Sequence, residues 1–420
     1  MAVNPEVVIT ALGIVSPIGI GNTVFWDSLL AQRSGVRRLP LFERCVCPAP
    51  IGGSVEDFVP KQHVRARKNL KVMSRDIQLG FCAADMAWGD SGLAAGYDPQ
   101  RSGVVFGADL IACELDELIG PYRSCVENGE FCYADWGRKA LAEFYPLWML
   151  KYLPNMPACH IGIAQDMRGP NNTLVLGEVS SLAAIIEATR AIQRGHVDAM
   201  LAGGAGSRLH PTIWVHQQAM QYTHQGDAPA AACRPFDAKR DGMVNGEGAA
   251  AFVLERRDVA EARGAKILAR VLGFASAFEP ARKGQTLSGA AIRQVIRGAM
   301  TAAGISARDV GHVNAHGMST TLDDRIEAQA IHDTLGAVPV TAPKSYFGNL
   351  AAGSGAVEMA VSVLGLQHGL IPPTLNYQTP DPDCPVNVIR EEPLSRPAPV
   401  ALVLNHACTG QATAVVLALP

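Results

Sequence analysis

What this chain of 420 residues has little of already bounds its function. Charged residues make up only 18% and the formal net charge is −3, so there is no electrostatic footprint for nucleic acid. Its ten cysteines (Cys45, Cys47, Cys82, Cys113, Cys125, Cys132, Cys159, Cys233, Cys384 and Cys408) include no Cys-x-x-Cys pair. That scatter argues against a zinc site or a disulfide framework and for free thiols in a reducing compartment. Long uninterrupted apolar runs are missing too. The most apolar stretch, 351–370, is broken by Glu358, Gln367, His368 and several glycines, which makes a poor membrane span. The first residues, Met1-Ala2-Val3-Asn4-Pro5-Glu6, show no basic region leading into an apolar segment. No signal peptide is expected, and the cytoplasm is the expected location.

What is present is 48% hydrophobic residues and 41 glycines, a composition that suits an α/β chain with many tight strand–helix turns. The length allows two domains or one large duplicated one. Glu6 to Val15 reads as a buried strand that turns at Gly13 and ends at Ser16-Pro17-Ile18-Gly19, and Arg75 to Ser91 as an amphipathic helix. Gly103 to Ala108 and Ala199 to Gly204 read as further buried strands. Near Lys266 the alternation restarts, with strands at 267–274, 310–315, 400–404 and 413–419 and helices at 289–303 and 356–367. The expected organisation is therefore two similar α/β halves, 1–257 and 258–420, packed together. An aromatic-rich insertion lies at about 108–157, with seven of the chain's 25 aromatic residues between Phe131 and Tyr152. Such a cluster serves as core, as subunit interface or as the lining of an acyl pocket.

The chain is organised around Gly169 to Arg194. Gly169-Pro170-Asn171 is a turn signal and Thr173 to Leu176 is β-prone. From Ser181 the apolar residues Leu182, Ala183, Ile185, Ile186, Ala188 and Ala191 follow a helical period. A strand that breaks into a buried helix places Glu178 at the helix N-terminus, where free N–H groups and the macrodipole favour negative charge. Layouts of this kind usually hold a nucleophilic thiol or hydroxyl there. This chain holds a carboxylate.

Several long motifs carry a resemblance that covers nearly the whole chain. They are Val-Val-Ile-Thr-Ala-Leu-Gly-Ile-Val-Ser-Pro-Ile-Gly at 7–19, Pro-Phe-Asp-Ala-Lys-Arg-Asp-Gly-Met-Val-Asn-Gly-Glu-Gly at 235–248 and Val-Asn-Ala-His-Gly-Met-Ser-Thr at 313–320. Lys-Ser-Tyr-Phe-Gly-Asn-Leu-Ala-Ala-Gly-Ser-Gly-Ala-Val-Glu at 344–358 and Ile-Pro-Pro-Thr-Leu-Asn at 371–376 complete the set. In this order they resemble the elongating β-ketoacyl-acyl-carrier-protein synthases. The resemblance implies a thiolase-like fold of two similar α/β halves in a five-layer αβαβα core. In that family a cysteine at the helix N-terminus takes the acyl chain from the carrier protein, and two histidines promote decarboxylation of malonyl-carrier protein. His316 matches the first histidine, Lys344 the family lysine, and Glu327 the acidic residue that helps hold that lysine.

The departures fall in the active site. Glu178 occupies the cysteine position and Asn349 the second histidine position. The gate motif Gly-Phe-Gly-Gly reads Cys408-Thr409-Gly410-Gln411, so Cys408 and Thr409 are the residues expected to border bound substrate. An ionised carboxylate at a helix N-terminus is a weak nucleophile towards a thioester and competes for the oxyanion N–H groups. Covalent condensation by this chain is therefore not expected. Glu178 either fills a retired site, capping the helix and pairing with His316, or acts beside His316 as a base on a bound thioester.

The resemblance implies no cofactor beyond the phosphopantetheine, on acyl carrier protein or coenzyme A, that carries the substrate. Expected partners are acyl carrier protein and a second subunit, in a homodimer or in a heterodimer with an active ketosynthase as chain-length factors form. Neither nucleic acid nor membrane is expected. Arg65, Arg67, Lys68 and Lys71 are either a patch for an acidic carrier or simply a solvated face.

Overall fold

Ten consecutive residues, Val7–Ser16, form strand β1 and every one of them is buried. Gly13 is not a turn, as the sequence suggested, but a point of close approach. A Cβ there would stand 2.2 Å from the Ala83 carbonyl oxygen, so the glycine lets helix α1 (Arg75–Ser91) lie flat on the strand. The computed structural model describes residues 5–43, 49–65, 67–93, 96–217, 220–280 and 286–420. Cys45 and Cys47 lie outside the described residues, and the other eight cysteines are free.

The elements that frame the two sheets follow in chain order. Strands β2 (Ser102–Ala108) and β3 (Asn171–Val175) precede helix α2 (Ser180–Gln193), then β4 (Ala199–Ser207), β5 (Glu247–Arg256) and β6 (Ala269–Phe278). Helix α3 (Ala290–Ala303), β7 (His312–Asn314), α4 (Thr321–Leu335), β8 (Pro339–Thr341) and α5 (Ser354–His368) come next. β9 (Asn387–Val388), β10 (Val400–His406) and β11 (Gln411–Ala418) end the chain.

The strands pair in the order β9-β8-β7-β10-β11-β6-β1-β5-β4-β2-β3. This row reads as one pattern used twice. β1-β5-β4-β2-β3 pairs antiparallel, antiparallel, parallel, parallel. β6-β11-β10-β7-β8 repeats that sequence of directions. The two sheets join only where Val7–Ile9 meets Ala269–Val271. Helix α1 packs on the outer face of the first sheet and α3 on the outer face of the second. Helices α2 and α5 touch strands of both sheets and fill the space between them. This is the five-layer αβαβα arrangement expected from the sequence.

The helical period read from 181 onwards is the buried face of α2, on which Leu182, Ile185, Ile186 and Ile192 are excluded from solvent. Each such side chain contributes about 1.5–3 kcal/mol relative to exposure. Glycines on the facing strands admit the helix start. A Cβ on Gly107 would stand 2.6 Å from the Ser181 nitrogen, and one on Gly204 2.6 Å from the Ser181 Cβ.

β3 is the open edge of the first sheet, with Asn171, Asn172 and Val175 exposed. The aromatic-rich insertion stands beside the β2 end. Its rings run Tyr122, Phe131, Trp136, Phe144, Trp148 and Tyr152, each tilted or edge-on to the next. Its outer side leaves Tyr133 80%, Leu141 64% and Met149 61% exposed. Among the described residues, no helix is long and apolar enough to cross a membrane.

Candidate functional site

Glu178 sits one residue short of the position the sequence suggested, in a 3-10 turn over Gly177–Val179 that leads into α2. Gly177 has φ +62, a conformation that favours glycine. Ser180 Oγ pins the turn, accepting from the Leu176 N–H at 2.8 Å and donating to the Gly177 carbonyl at 2.7 Å. The carboxylate is buried, at 5% exposure.

Its partner is Arg208, not His316. Arg208 follows the last residue of β4, is 3% exposed, and donates from Nη2 to Glu178 Oε1. The guanidinium is itself cradled, with Nη1 donating to Gln217 Oε1 at 2.6 Å and Nη2 standing 4.0 Å from Asp109 Oδ2. Asn349 Nδ2 reaches Glu178 Oε1 at 3.5 Å. The Asn349 Oδ1 accepts from Ala351 N at 3.0 Å and Ser354 Oγ at 3.2 Å, which turns its NH₂ towards the carboxylate. Burial by itself would raise the Glu178 pKa. The Arg208 guanidinium, the backbone N–H of Glu178, Asn349 and Lys344 together outweigh burial and hold the carboxyl below its usual range. Met318 and Met243 place their sulfurs 3.6 and 3.8 Å from Asn349 Nδ2 and close this wall.

The opposite wall is built around His316, which follows β7. Its backbone N–H and that of Gly317 donate to the two oxygens of Glu327 at 2.7 and 2.8 Å. Its Nδ1 faces two donors, Lys344 Nζ at 2.8 Å and Asn405 Nδ2 at 3.1 Å. An atom met by an ammonium and an amide NH₂ must accept, so the ring proton is on Nε2. Burial first, then Lys344, His406 and Arg208, hold the His316 pKa well below its ordinary value. The ring is a neutral Nε2–H donor.

Lys344 is held by Glu358 and by the His316 carbonyl at 2.7 Å, and Asn405 Nδ2 reaches the other Glu358 oxygen at 2.7 Å. The expectation that Glu327 holds Lys344 is thus corrected: Glu358 on α5 is the counter-ion, and Glu327 instead fixes the backbone of His316. Lys344, Glu358 and Glu327 are all buried, at 1% exposure or less.

The structure therefore brings Glu178, His316, Asn349, Lys344 and Glu327 into one buried cluster. It leaves Cys408 and Thr409 outside, both exposed on the loop between β10 and β11. Partial enclosure of the sulfur, with Glu178 and Asp323 acting on it, raises the Cys408 pKa. Of the basic patch, Arg65 is bonded to Asp85 and to Gln165, and Lys71 lies over the Tyr145 ring. Among the described residues no group of three or more His, Cys, Asp or Glu side chains is placed to hold a metal.

Four members of the cluster were missed in the sequence: Arg208, Glu358, Asn405 and His406. Arg208, Asn405 and His406 close apolar or small-residue runs and Glu358 interrupts one. Glu358 was the most accessible, since it ends the quoted motif 344–358.

This geometry sits in a recognisable scaffold. The chain matches the Beta-ketoacyl synthase, N-terminal domain family over residues 4–260 and the Beta-ketoacyl synthase, C-terminal domain family over residues 268–378. It is 33% identical to a putative polyketide beta-ketoacyl synthase 1 of Streptomyces halstedii, over 99% of this chain and 98% of that one. The solved ishigamide ketosynthase/chain length factor superposes with a TM-score of 0.85 at 26% identity, over 100% of both chains. A type II polyketide synthase acyl-carrier protein in complex with its ketosynthase, bound to the hexaketide, gives 0.84 at 27% identity, again over 100% of both. The chain belongs to the β-ketoacyl synthase family.

Proposed function

We propose that this chain is a non-condensing β-ketoacyl synthase homologue that pairs with an active ketosynthase and shapes the acyl pocket of the pair, as chain-length factors do. One observation carries the reading. Glu178, which the resemblance places at the cysteine position, is a carboxylate locked to a buried arginine that holds its pKa down. A carboxylate whose lone pairs are engaged by a guanidinium is a poor acyl acceptor, and the mixed anhydride it would form is not a stable acyl store.

Two further features support a pairing role. The open edge β3 offers unpaired backbone groups, and exposed edges of this kind are ordinarily covered. Val175 and Leu176 at its end, and Leu110, Leu115, Ile119 and Tyr122 in the segment that follows β2, are each more than 40% exposed, apolar groups of the sort a partner subunit covers. An acyl carrier protein as the substrate carrier and a cytoplasmic location fit the same reading.

The test is co-purification with an active β-ketoacyl-acyl-carrier-protein synthase, followed by analysis of product chain length. The expected result is a mixed dimer whose products differ in length from those of the synthase alone. A strict homodimer with no effect on any synthase would count against the proposal.

A second reading rests on His316. Its Nε2–H remains a neutral donor, backed by an intact Lys344–Glu358–Asn405 network. Such a donor can polarise a thioester carbonyl with no acyl-enzyme involved. Under this reading the chain decarboxylates or hydrolyses a carrier-linked or coenzyme-A-linked acyl group. Unchanged turnover in Glu178→Gln and His316→Ala variants would remove its basis.

A further inference from the structure

The aromatic-rich insertion holds two cysteines on opposite arms of one hairpin. Its strands are Val126–Glu127 and Glu130–Phe131, joined through Asn128 and Gly129. Both linking residues have positive φ, +53 and +83, the backbone of a two-residue type I′ turn. Val126 faces Phe131 and Glu127 faces Glu130, so the next opposed pair is Cys125 and Cys132. The Cys132 N–H donates to the Cys125 carbonyl at 2.7 Å, which carries the ladder on to that pair. Cα atoms of a hydrogen-bonded antiparallel pair lie about 5.5 Å apart, within the roughly 4.4–6.8 Å that a disulfide spans. Directly opposed side chains also leave the ribbon on the same face.

The hairpin is anchored at both ends. Cys125 closes the helix Leu115–Ser124, its N–H donating to the Tyr122 carbonyl at 3.1 Å, and the Cys132 carbonyl accepts from Asp135 N at 3.2 Å. The Phe131 ring packs against Tyr122 and Trp136 at centroid distances of 5.7 and 5.9 Å. Both thiols are free, with Cys125 buried and Cys132 partly exposed. Lys139 first, then Arg138 and the Cys132 thiol, hold the Asp135 pKa down, so that thiol leaves a carboxylate to reach Cys125.

We propose that Cys125 and Cys132 are a reversible thiol–disulfide pair, oxidised by small-molecule disulfides such as oxidised glutathione, that closes the hairpin into an eight-residue ring. The thiolate of Cys132, the more exposed of the two, attacks one glutathione sulfur. A Cys132–glutathione bond forms, the glutathione disulfide breaks, and the departing thiolate takes up a proton. The Cys125 thiol then loses its proton and attacks the Cys132 sulfur, which expels the second glutathione. Two protein thiols are oxidised and one glutathione disulfide is reduced to two thiols. A bridge made and broken in this way suits a compartment in which thiols are ordinarily reduced. It depends on neither reading of the buried site.

The experiment equilibrates the purified full chain with mixtures of reduced and oxidised glutathione, blocks the remaining thiols with iodoacetamide and maps tryptic peptides by mass. Both cysteines fall in one peptide, 124–138, since no lysine or arginine lies between Arg123 and Arg138. The expected result is a peptide short of two hydrogen atoms and carrying no alkyl group, restored by dithiothreitol. The linked fraction should be higher in the folded chain than in urea. Cys125→Ser should abolish the linked peptide and leave glutathione on Cys132, with the thermal midpoint near the parent value. Doubly alkylated peptide at every glutathione ratio would overturn the proposal. So would glutathione held on Cys132 of the parent chain with Cys125 free, or a link that forms in urea but not in the folded chain.

Discussion

The two walls of the site differ in how their charges are balanced. On the His316 wall, one ammonium, one carboxylate, one amide and one imidazole exchange hydrogen bonds, with Asn405 Oδ1 left without a partner among the described residues, and the product is a neutral ring with a defined proton. On the Glu178 wall, a guanidinium stands between two carboxylates, Glu178 and Asp109, and its Nε is without a partner among the described residues. The first wall presents a neutral ring donor and the second an ion pair. The comparison teaches that one buried polar cluster can hold a neutral donor and a fixed charge side by side, each set by different neighbours.

The strongest way to break this picture is to remove a charge from each wall in turn. Lys344→Met should cost about 3–5 kcal/mol, because it strands Glu358 at 0% exposure. Urea denaturation measures it, and a loss near zero would mean the network is not a unit. Arg208→Met should cost somewhat less, about 3 kcal/mol, since Glu178 keeps Asn349 and a backbone N–H. The double variant Glu178→Gln/Arg208→Met should recover most of that loss. Losses that simply add would show that the two groups are not coupled.

Titration sharpens the contrast. His316 and His406 touch, yet their pKa values are displaced in opposite directions. The His316 ring binds its proton less readily folded than unfolded, so its contribution to stability is lost as pH falls below the ordinary histidine value. His406 binds its proton more readily when folded, so its contribution is present at low pH and lost as pH rises through the raised value. Proton NMR of the two rings should show one resonance still neutral well below the ordinary value and one still charged above it. Two coincident curves would contradict the tautomer argument.

Glu178 follows the usual carboxylate sign. Its depressed pKa stabilises the fold above the ordinary glutamate value and is lost as pH falls through the folded value. Glu178→Gln should flatten that acid limb, a smaller effect read by thermal denaturation across pH. Smallest of all, Arg65→Ala on the surface should change stability by less than about 1 kcal/mol, because its side chain is 63% exposed and solvent screens the pair with Asp85.

Much of this architecture was legible in the sequence because apolar period sets element type. The α1 boundaries Arg75–Ser91 and the repeat of strand and helix beyond Lys266 came from periodicity alone. Gly13 was misread because a glycine that admits a helix and a glycine that turns a chain look alike until the neighbour is known. Within the site, residues inside long motifs could be placed, whereas their partners could not. Arg208 lies 30 residues from Glu178, and Asn405 lies 89 from His316. Nothing local in the sequence encodes such pairings. Assigning Lys344 to Glu327 failed for the same reason, since two buried glutamates compete for one lysine and only packing decides between them.

The most direct measurement is the intact mass of the protein after incubation with a medium-chain acyl-carrier protein. A carboxylate locked to Arg208 and an exposed Cys408 with a raised pKa predict no acyl adduct at any time point. A stable adduct mapped to Glu178 or to Cys408 would show that a nucleophile survives, and the account of a retired condensing site would be contradicted.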